Sequence, residues 1–261
     1  MTDKTVRKGD DYKRNFDVDW YLKCCFSTPL ECPEEGDTSY TFLLDELHKT
    51  YSSGKVKGKR FLEFGSGPTV HTLFSARNAV EEITCCEFAE CNRKQIEKWW
   101  KKECDAFDWS VVLKHVAQLE QHRDHERIAA EVREKLQEVL PCDVRLQNPL
   151  SPNIREPYDV ITTSFTLEAA CESIDQYNEA VANVSSLIRQ GGHLIMFGAL
   201  SQSFYVVNKE RFFSLRLETG DIENALKLAG FENIETKVCP LEYQLDMCDL
   251  KGIFYTTCMK R

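Results

Sequence analysis

The 261-residue sequence has no apolar run approaching the roughly twenty residues that cross a bilayer. Its opening, Met1-Thr2-Asp3-Lys4-Thr5, lacks the apolar core of a signal peptide. A cytoplasmic protein without a membrane partner is expected. Positive charge is in deficit, 33 Lys and Arg against 42 Asp and Glu, for a formal net charge of -9. Nucleic-acid binding needs a concentrated basic patch, so nucleic acid is not an expected partner. There are twelve cysteines but no Cys-x-x-Cys pair: Cys24-Cys25 and Cys85-Cys86 are adjacent and the rest are scattered. Zinc sites pair their ligands two to four residues apart, so no metal is expected, and the cysteines read as free thiols packed as small hydrophobes. Internal repeats, low-complexity segments and linkers are also absent, which points to one domain over residues 1–261.

What is present centres on Arg60-Phe61-Leu62-Glu63-Phe64-Gly65-Ser66-Gly67-Pro68-Thr69-Val70. A short apolar run breaks into two glycines and then into a helical pattern, as a buried parallel strand does where it turns beneath a nucleoside. Ile83-Thr84-Cys85-Cys86-Glu87 repeats the strand pattern about twenty residues on and ends in the acid that commonly accepts from ribose hydroxyls.

Further strands are expected at 142–144 after Pro141, at 158–164 and at 193–197, with two more in the tail at about 232–260. Residues 121–140 read as one helix inserted on the outside of the domain, because Ile128, Val132, Leu136 and Leu140 recur every four residues. A helix carrying Ile174, Tyr177, Val181, Val184 and Ile188 is expected to be capped by Gly191-Gly192. Residues 10–26 hold Tyr12, Phe16, Trp20, Tyr21 and Phe26. Phe16 and Trp20 are four apart, so one amphipathic helix packed on the domain is the simpler account of these rings, and a lid over a ligand is the functional one. Residues 27–38, with Pro29, Pro33 and Gly36, read as a loop, and the helical stripe Leu43, Leu44, Leu47, Tyr51 ends at Ser53-Gly54. Strands alternating with helices imply an α/β fold: a seven-stranded, mostly parallel sheet with helices on both faces. An N-terminal helical lid and cap would span 1–55 and a Rossmann-like core 56–261.

Ligands of such sheets bind beyond the carboxyl ends of the strands. Those ends carry Gly65-Ser66-Gly67, Glu87, Asp143-Val144, Ser164-Phe165 and Gly198-Ala199. The set suits an adenosyl group, with Asp143 accepting from the adenine amino group and the Val144 N–H donating to the ring. Each residue has a plainer reading, Asp143 as a turn residue and Glu87 as a solvated strand end. A dinucleotide would want a third small residue where Val70 stands, and Pro68 removes a backbone donor that phosphates use. Gly-Lys-Ser/Thr, which a nucleoside triphosphatase requires, is missing. S-adenosylmethionine carries no phosphate and tolerates both substitutions.

With these residues in place the chain resembles a known family, the small-molecule amine N-methyltransferases that act on nicotinamide, indolethylamine (thioether) and phenylethanolamine substrates. The resemblance runs from Tyr12 to the C-terminus. Its specific passages are Glu63–Val70, Asp105-Ala106-Phe107-Asp108-Trp109-Ser110, Cys142-Asp143-Val144, Leu167-Glu168-Ala169-Ala170-Cys171 and Gly191-Gly192-His193-Leu194. It implies a class I S-adenosylmethionine-dependent methyltransferase fold, expected here as a monomer. For the cofactor it implies Tyr21 and Phe26 as lid rings, Gly65, Ser66 and Gly67 as the loop beneath it, and Glu87, Phe88 and Asn92 around the ribose. Asp143 and Val144 would clamp the adenine, with Ser164 and Phe165 at the fourth strand. Phe26 keeps the ring of a usual tyrosine without its hydroxyl. His71 replaces a cofactor-contacting tyrosine, and Glu87 replaces the commoner aspartate.

For the acceptor, the resemblance implies Tyr12, Tyr21, Glu168, Gly198, Gln202, Tyr205, Ser214 and Asp249. Glu168 stands where phenylethanolamine-type enzymes bind the substrate amine and the nicotinamide type has aspartate. By itself it would read as a helix N-terminal charge. Phe197-Gly198-Ala199-Leu200 is similar to the phenylethanolamine branch, whereas the nicotinamide branch has aspartate at position 198. Gln202 stands where the phenylethanolamine branch has a second acid, and Asp249 lies beside an acidic pocket position now held by Cys248. The expectation is N-methylation of a small aromatic or arylalkyl amine, with Glu168 as the catalytic acid–base group. A nicotinamide or pyridine acceptor is the alternative, and a non-catalytic cofactor-binding relative is a third reading, motivated by Phe26, His71, Gln202 and Cys248.

Overall fold

The computed structural model of the protein describes residues 6–27, 39–121, 124–241 and 247–261. After a two-residue strand, β1 (Val6–Arg7), the aromatic stretch forms two helices, α1 (Asp11–Asn15) and α2 (Val18–Phe26). The single helix expected there is broken at Asp17, whose carboxylate accepts from the Trp20 N–H at 3.0 Å and so supplies the N-cap of α2. The rest of the loop expected over 27–38, residues 28–38, lies outside the described residues. Helix α3 (Ser39–Ser52) follows and ends before Gly54, whose φ is +72°.

The alternating part then begins: β2 (Arg60–Phe64), α4 (His71–Ala76), β3 (Glu82–Glu87), α5 (Glu90–Trp100), α6 (Ser110–Leu119), α7 (His125–Lys135) and β4 (Leu136–Pro141). The chain returns through β5 (Tyr158–Ser164), α8 (Leu167–Ala170), α9 (Ile174–Ser186) and β6 (Ile188–Leu200). A hairpin, β7 (Phe204–Val207) and β8 (Glu210–Phe213), precedes α10 (Thr219–Leu228), β9 (Phe231–Pro240) and β10 (Gly252–Lys260).

The main sheet has seven strands in the order β4-β3-β2-β5-β6-β10-β9. From β4 to β6 neighbours run parallel, and β10 is antiparallel to both β6 and β9. Side chains alternate across it: Phe61 joins the core beneath α3 to α7, while Leu62 and Phe64 join the core beneath α9 and α10. On α9, Val181 and Val184 are fully buried, each contributing roughly 1.5–3 kcal/mol. Strand order reverses between β2 and β5, and the crevice beyond their carboxyl ends is the switch point at which such sheets bind ligands. Cys24, Cys25, Cys85, Cys86, Cys91, Cys104, Cys142, Cys171 and Cys258 are free thiols.

Three expectations need correction. Residues 121–140 are not one helix: α7 ends at Lys135, and Leu136–Pro141 is the third parallel strand, paired with β3 from Ile83 to Glu87. Leu136 and Leu140 are four apart, a spacing that suits one face of a strand as well as one face of a helix. Cys142-Asp143-Val144 is therefore the loop after that strand, turned by the Asp143 N–H bonding the Pro149 carbonyl at 2.9 Å. Gly191-Gly192 does not cap α9, which closes at Ser186. The pair lies where β6 bulges against β5, between Tyr158↔Ile188 and Val160↔His193, with Gly191 at φ +71°.

Beyond the main sheet, β1, β8 and β7 form a small second sheet, with β1 parallel and β7 antiparallel to β8. Asn208 at its turn donates from Nδ2 to Asp17 Oδ2 at 2.9 Å, tying it to the cap of α2.

Candidate active site

A cavity of about 330 Å³ lies between the carboxyl edge of β2–β5, the helices α1 and α2, and the small sheet. That volume is in the range of small-molecule sites. Gly65 and Ser66 donate backbone N–H groups to the Cys86 carbonyl at 2.9 and 3.1 Å, which pins the glycine turn to β3. Gly65 has φ +69°, and a Cβ there would lie 2.2 Å from Thr166 Cγ2, so the two sides of the switch point approach only because position 65 is glycine. Gly67, at φ +56°, has nothing within 4 Å of a built Cβ, so the turn opens onto free space.

Glu87 is buried and accepts three hydrogen bonds, from Gly67 N (3.0 Å), Ala89 N (2.8 Å) and Asn92 Nδ2 (3.0 Å). Burial raises its pKa against the opposing effect of these donors. Asn92 itself does not line the cavity. It stands behind Glu87 and donates also to Tyr12 Oη at 2.9 Å, orienting both. Phe88 lines the rim, with Lys13 Nζ 3.6 Å above its ring. Asp143 and Val144 reach the same wall from the loop after β4. Asp143 is committed in two-point fashion to Arg145 (2.8 and 2.6 Å); burial would raise its pKa, but these bonds outweigh it and hold the acid below its usual value. Ser164 and Phe165 complete this side. Phe165 sits at φ +47°, and its N–H is held by the Phe197 carbonyl at 2.9 Å, an unusual conformation for a bulky residue at a ligand wall.

Four of the five N-terminal rings, Tyr12, Phe16, Tyr21 and Phe26, line the cavity. They form a chain with centroid spacings of 4.5, 5.0 and 5.5 Å, and Phe212 meets both Tyr12 and Phe16 at 5.9 Å. The rings thus make a ligand wall as well as a helix seam. At the inner end His71 is buried against Phe26, Tyr40 and Trp109. Burial lowers its pKa to about 3, so it is neutral at physiological pH, and its Nδ1 has no hydrogen-bond partner. Tyr40 Oη, on the same wall, is also unpartnered.

At the opposite end are Glu168, Gln202, Tyr205 and Ser214. Glu168 is buried on α8; its Oε1 accepts from the Ala199 N–H at 2.9 Å, and burial raises its pKa to about 7. Tyr205 stacks on Phe212 at 5.4 Å, and Ser214 Oγ is buried without a partner. Two expected acceptor residues are not on the wall. Gly198 lies behind Glu168. Asp249 is occupied by Ser203 N (2.7 Å), Ser203 Oγ (2.6 Å) and Arg216 Nη2 (2.8 Å), so its charge braces the start of the small sheet.

The wall contributed by β1 and β8, including Lys8, Phe212 and Phe213, was not anticipated. Phe204–Val207 and Glu210–Phe213, strand formers on either side of Asn208-Lys209, carry a hairpin signal that could have revealed it. Tyr40, a further lining residue, lies on the same helix as the Leu43–Tyr51 stripe, one turn before Leu43 and Leu44. Among the described residues no group of three His, Cys, Asp or Glu is disposed to hold a metal ion, and no helix is long and apolar enough to cross a membrane.

Residues 4–261 match the sequence family described as the NNMT/PNMT/TEMT family. The chain belongs to this family. Indolethylamine N-methyltransferase of Oryctolagus cuniculus is 33% identical over 254 residues, covering 97% of this chain and 96% of its own. Nicotinamide N-methyltransferase of Homo sapiens is 35% identical over 213 residues, 81% of each chain. Phenylethanolamine N-methyltransferase of Sus scrofa is 30% identical over 253 residues, 95% of this chain and 89% of its own. Among solved structures, magnesium protoporphyrin IX methyltransferase from Synechocystis PCC 6803, with bound S-adenosylmethionine, superposes with a TM-score of 0.59 at 10% identity over 96% of this chain and 94% of its own. This NNMT/PNMT/TEMT member has the class I methyltransferase fold and is an S-adenosylmethionine-dependent N-methyltransferase. Its own residues fit that cofactor: an open glycine turn, a buried acid beside it, and the unpartnered His71 Nδ1 and Tyr40 Oη at the inner end.

Proposed function

We propose that this chain methylates the nitrogen of a small aromatic or arylalkyl amine, with Glu168 as the acid–base group at the acceptor end. The observation that carries the reading is a buried carboxyl, held at a pKa of about 7, in a wall that also carries the rings of Tyr205, Phe212 and Phe213. The cofactor, when bound, supplies a methyl group on a sulfonium that leaves as a neutral thioether. Gly65, Ser66, Gly67 and Glu87 bind the nucleoside, and Asp143 with Val144 borders its base. Tyr12, Phe16, Tyr21 and Phe26 exclude water over both ligands. An aliphatic amine arrives protonated and cannot attack in that form. Ionised Glu168 holds the ammonium and accepts its proton, directly or through water, which leaves the nitrogen lone pair free for the methyl group that the bound cofactor would supply.

Labelled S-adenosylmethionine with an amine panel should give methylated amine, and product mass fixes the number of methyl groups. Turnover should fall sharply in Glu168→Gln; full turnover by that variant on every amine would remove Glu168 from the mechanism. A pyridine acceptor is a second reading, supported by the 35% identity to a nicotinamide N-methyltransferase. A pyridine nitrogen is already unprotonated at neutral pH and needs no base, so its methylation should be far less sensitive to Glu168→Gln than that of a phenylethylamine competing in the same assay.

A further inference from the structure

Gly198 does not touch the cavity, yet its position bears on the acid that does. It lies on β6, paired with Phe254 of β10, one residue before the Ala199 N–H that Glu168 Oε1 accepts at 2.9 Å. A Cβ built at Gly198 would stand 2.3 Å from Glu168 Oε1 and 3.0 Å from its Cδ, with Phe254 Cε1 also at 3.0 Å behind it. Gly198 is not in the left-handed region, so backbone conformation does not explain the glycine there. The space it leaves is occupied by the Glu168 carboxylate.

We propose that Gly198 is the positioning residue for Glu168, holding its carboxylate on the Ala199 N–H. A side chain at 198 displaces the Glu168 carboxylate from the place where it accepts the Ala199 N–H, so the glycine fixes where the acid on α8 meets the acceptor end. The proposal rests on the reading of Glu168 as the acceptor-side acid.

The groups whose charge Glu168 perturbs are Cys171, Tyr177 and Tyr205, and burial holds all three neutral well above pH 8. Glu87 on the same cavity also has its pKa raised by burial, so a limb near pH 7 is assigned to Glu168 by its loss in Glu168→Gln.

The test compares wild type, Gly198→Ala, Glu168→Asp and Gly198→Ala/Glu168→Asp. Each is assayed for amine kcat/KM from pH 5.5 to 9 and for S-adenosylhomocysteine binding by calorimetry. Gly198→Ala should lower kcat/KM by at least about tenfold and move the limb near pH 7, because the carboxylate is driven off the Ala199 N–H, with S-adenosylhomocysteine binding intact. The double variant, one methylene shorter at 168, should be more active than Gly198→Ala. Should Gly198→Ala fail to fold while the double variant folds, the obstruction is likewise located at Glu168. A Gly198→Ala protein with unchanged rate and pH limb would overturn the proposal, as would a double variant no better than Gly198→Ala in activity or folding. Failure of the underlying reading is seen separately, as full amine turnover by Glu168→Gln.

Discussion

Replacing Glu168 by glutamine separates the energetic consequence of burying that acid from its chemical one. In the folded chain the carboxyl keeps its proton up to about pH 7, against an ordinary value of 4.5. Between those values the folded state binds more protons than the unfolded one, so stability falls as pH rises through the window and stays at the lower level above it. At 1.36 kcal/mol per pKa unit, the rise from 4.5 to about 7 amounts to about 3 kcal/mol. Glutamine has nearly the same shape, keeps an oxygen for the Ala199 N–H and never ionises. Urea melts should therefore show Glu168→Gln nearly equal to wild type at pH 4.5 and more stable by about 3 kcal/mol at pH 8. With roughly 2–4 °C per kcal/mol for a chain of this size, Tm at pH 8 should rise by several degrees. Amine methylation by the same protein should fall on the order of 100-fold, the loss typical when a positioned acid–base group is removed. A gain of equal size at both pH values, or none at pH 8, would refute the buried-charge argument.

The glycine turn predicts a contrast: Gly65→Ala meets Thr166 at 2.2 Å and should abolish S-adenosylhomocysteine binding, whereas Gly67→Ala meets nothing and should cost only about 1–2 kcal/mol of stability for its positive φ. His71, neutral down to about pH 3 when folded and to 6.5 when unfolded, lowers stability as pH falls below 6.5. His71→Phe, which keeps a ring against Trp109, should therefore gain about 2 kcal/mol relative to wild type on going from pH 7.5 to pH 5 in denaturant melts, and a pH-independent difference would count against this. Asn92→Ala removes the donor shared by Glu87 and Tyr12, and S-adenosylhomocysteine binding measured by calorimetry should weaken by about 1–3 kcal/mol.

The sheet edge that carries the proposed nucleoside half was legible because parallel strands announce themselves locally. Phe61–Phe64, Ile83–Glu87 and Tyr158–Ser164 are short β-forming runs whose last residues necessarily share one edge, so naming them places Gly65, Glu87 and Ser164 together. Position 136–140 failed because two leucines four apart satisfy both periods, and the pairing of Leu136–Pro141 with β3 decided between them. The acceptor half was less legible for a different reason. Its wall is a three-stranded sheet joining residues 6–7 to residues 204–213, a parallel contact across some two hundred positions that no local pattern announces. Asp249 is an acid beside a pocket position in sequence, and only the geometry reveals that Ser203 and Arg216 have already engaged it.

The two halves differ in how they are built. Cofactor-side groups belong to the carboxyl edge of the main sheet, where Gly65, Ser66 and Glu87 are fixed by bonds between adjacent strands. The rings of the proposed acceptor side belong to a hairpin held outside the main sheet, by β1 pairing with β8, by the Val206 N–H on the Met247 carbonyl at 2.7 Å, and by Asn208 on Asp17 and Asp249 on Ser203. A substitution in the hairpin can reshape the acceptor wall without crossing a main-sheet hydrogen bond, whereas Gly65 cannot change without disturbing the switch point. The relatives similar to this chain are named for different nitrogen acceptors, indolethylamine, nicotinamide and phenylethanolamine. Glu168 is the exception on the acceptor side. Its Ala199 bond belongs to β6 of the main sheet, so the acid proposed to handle the proton is anchored on the same sheet as the glycine turn, whereas the rings facing it are not.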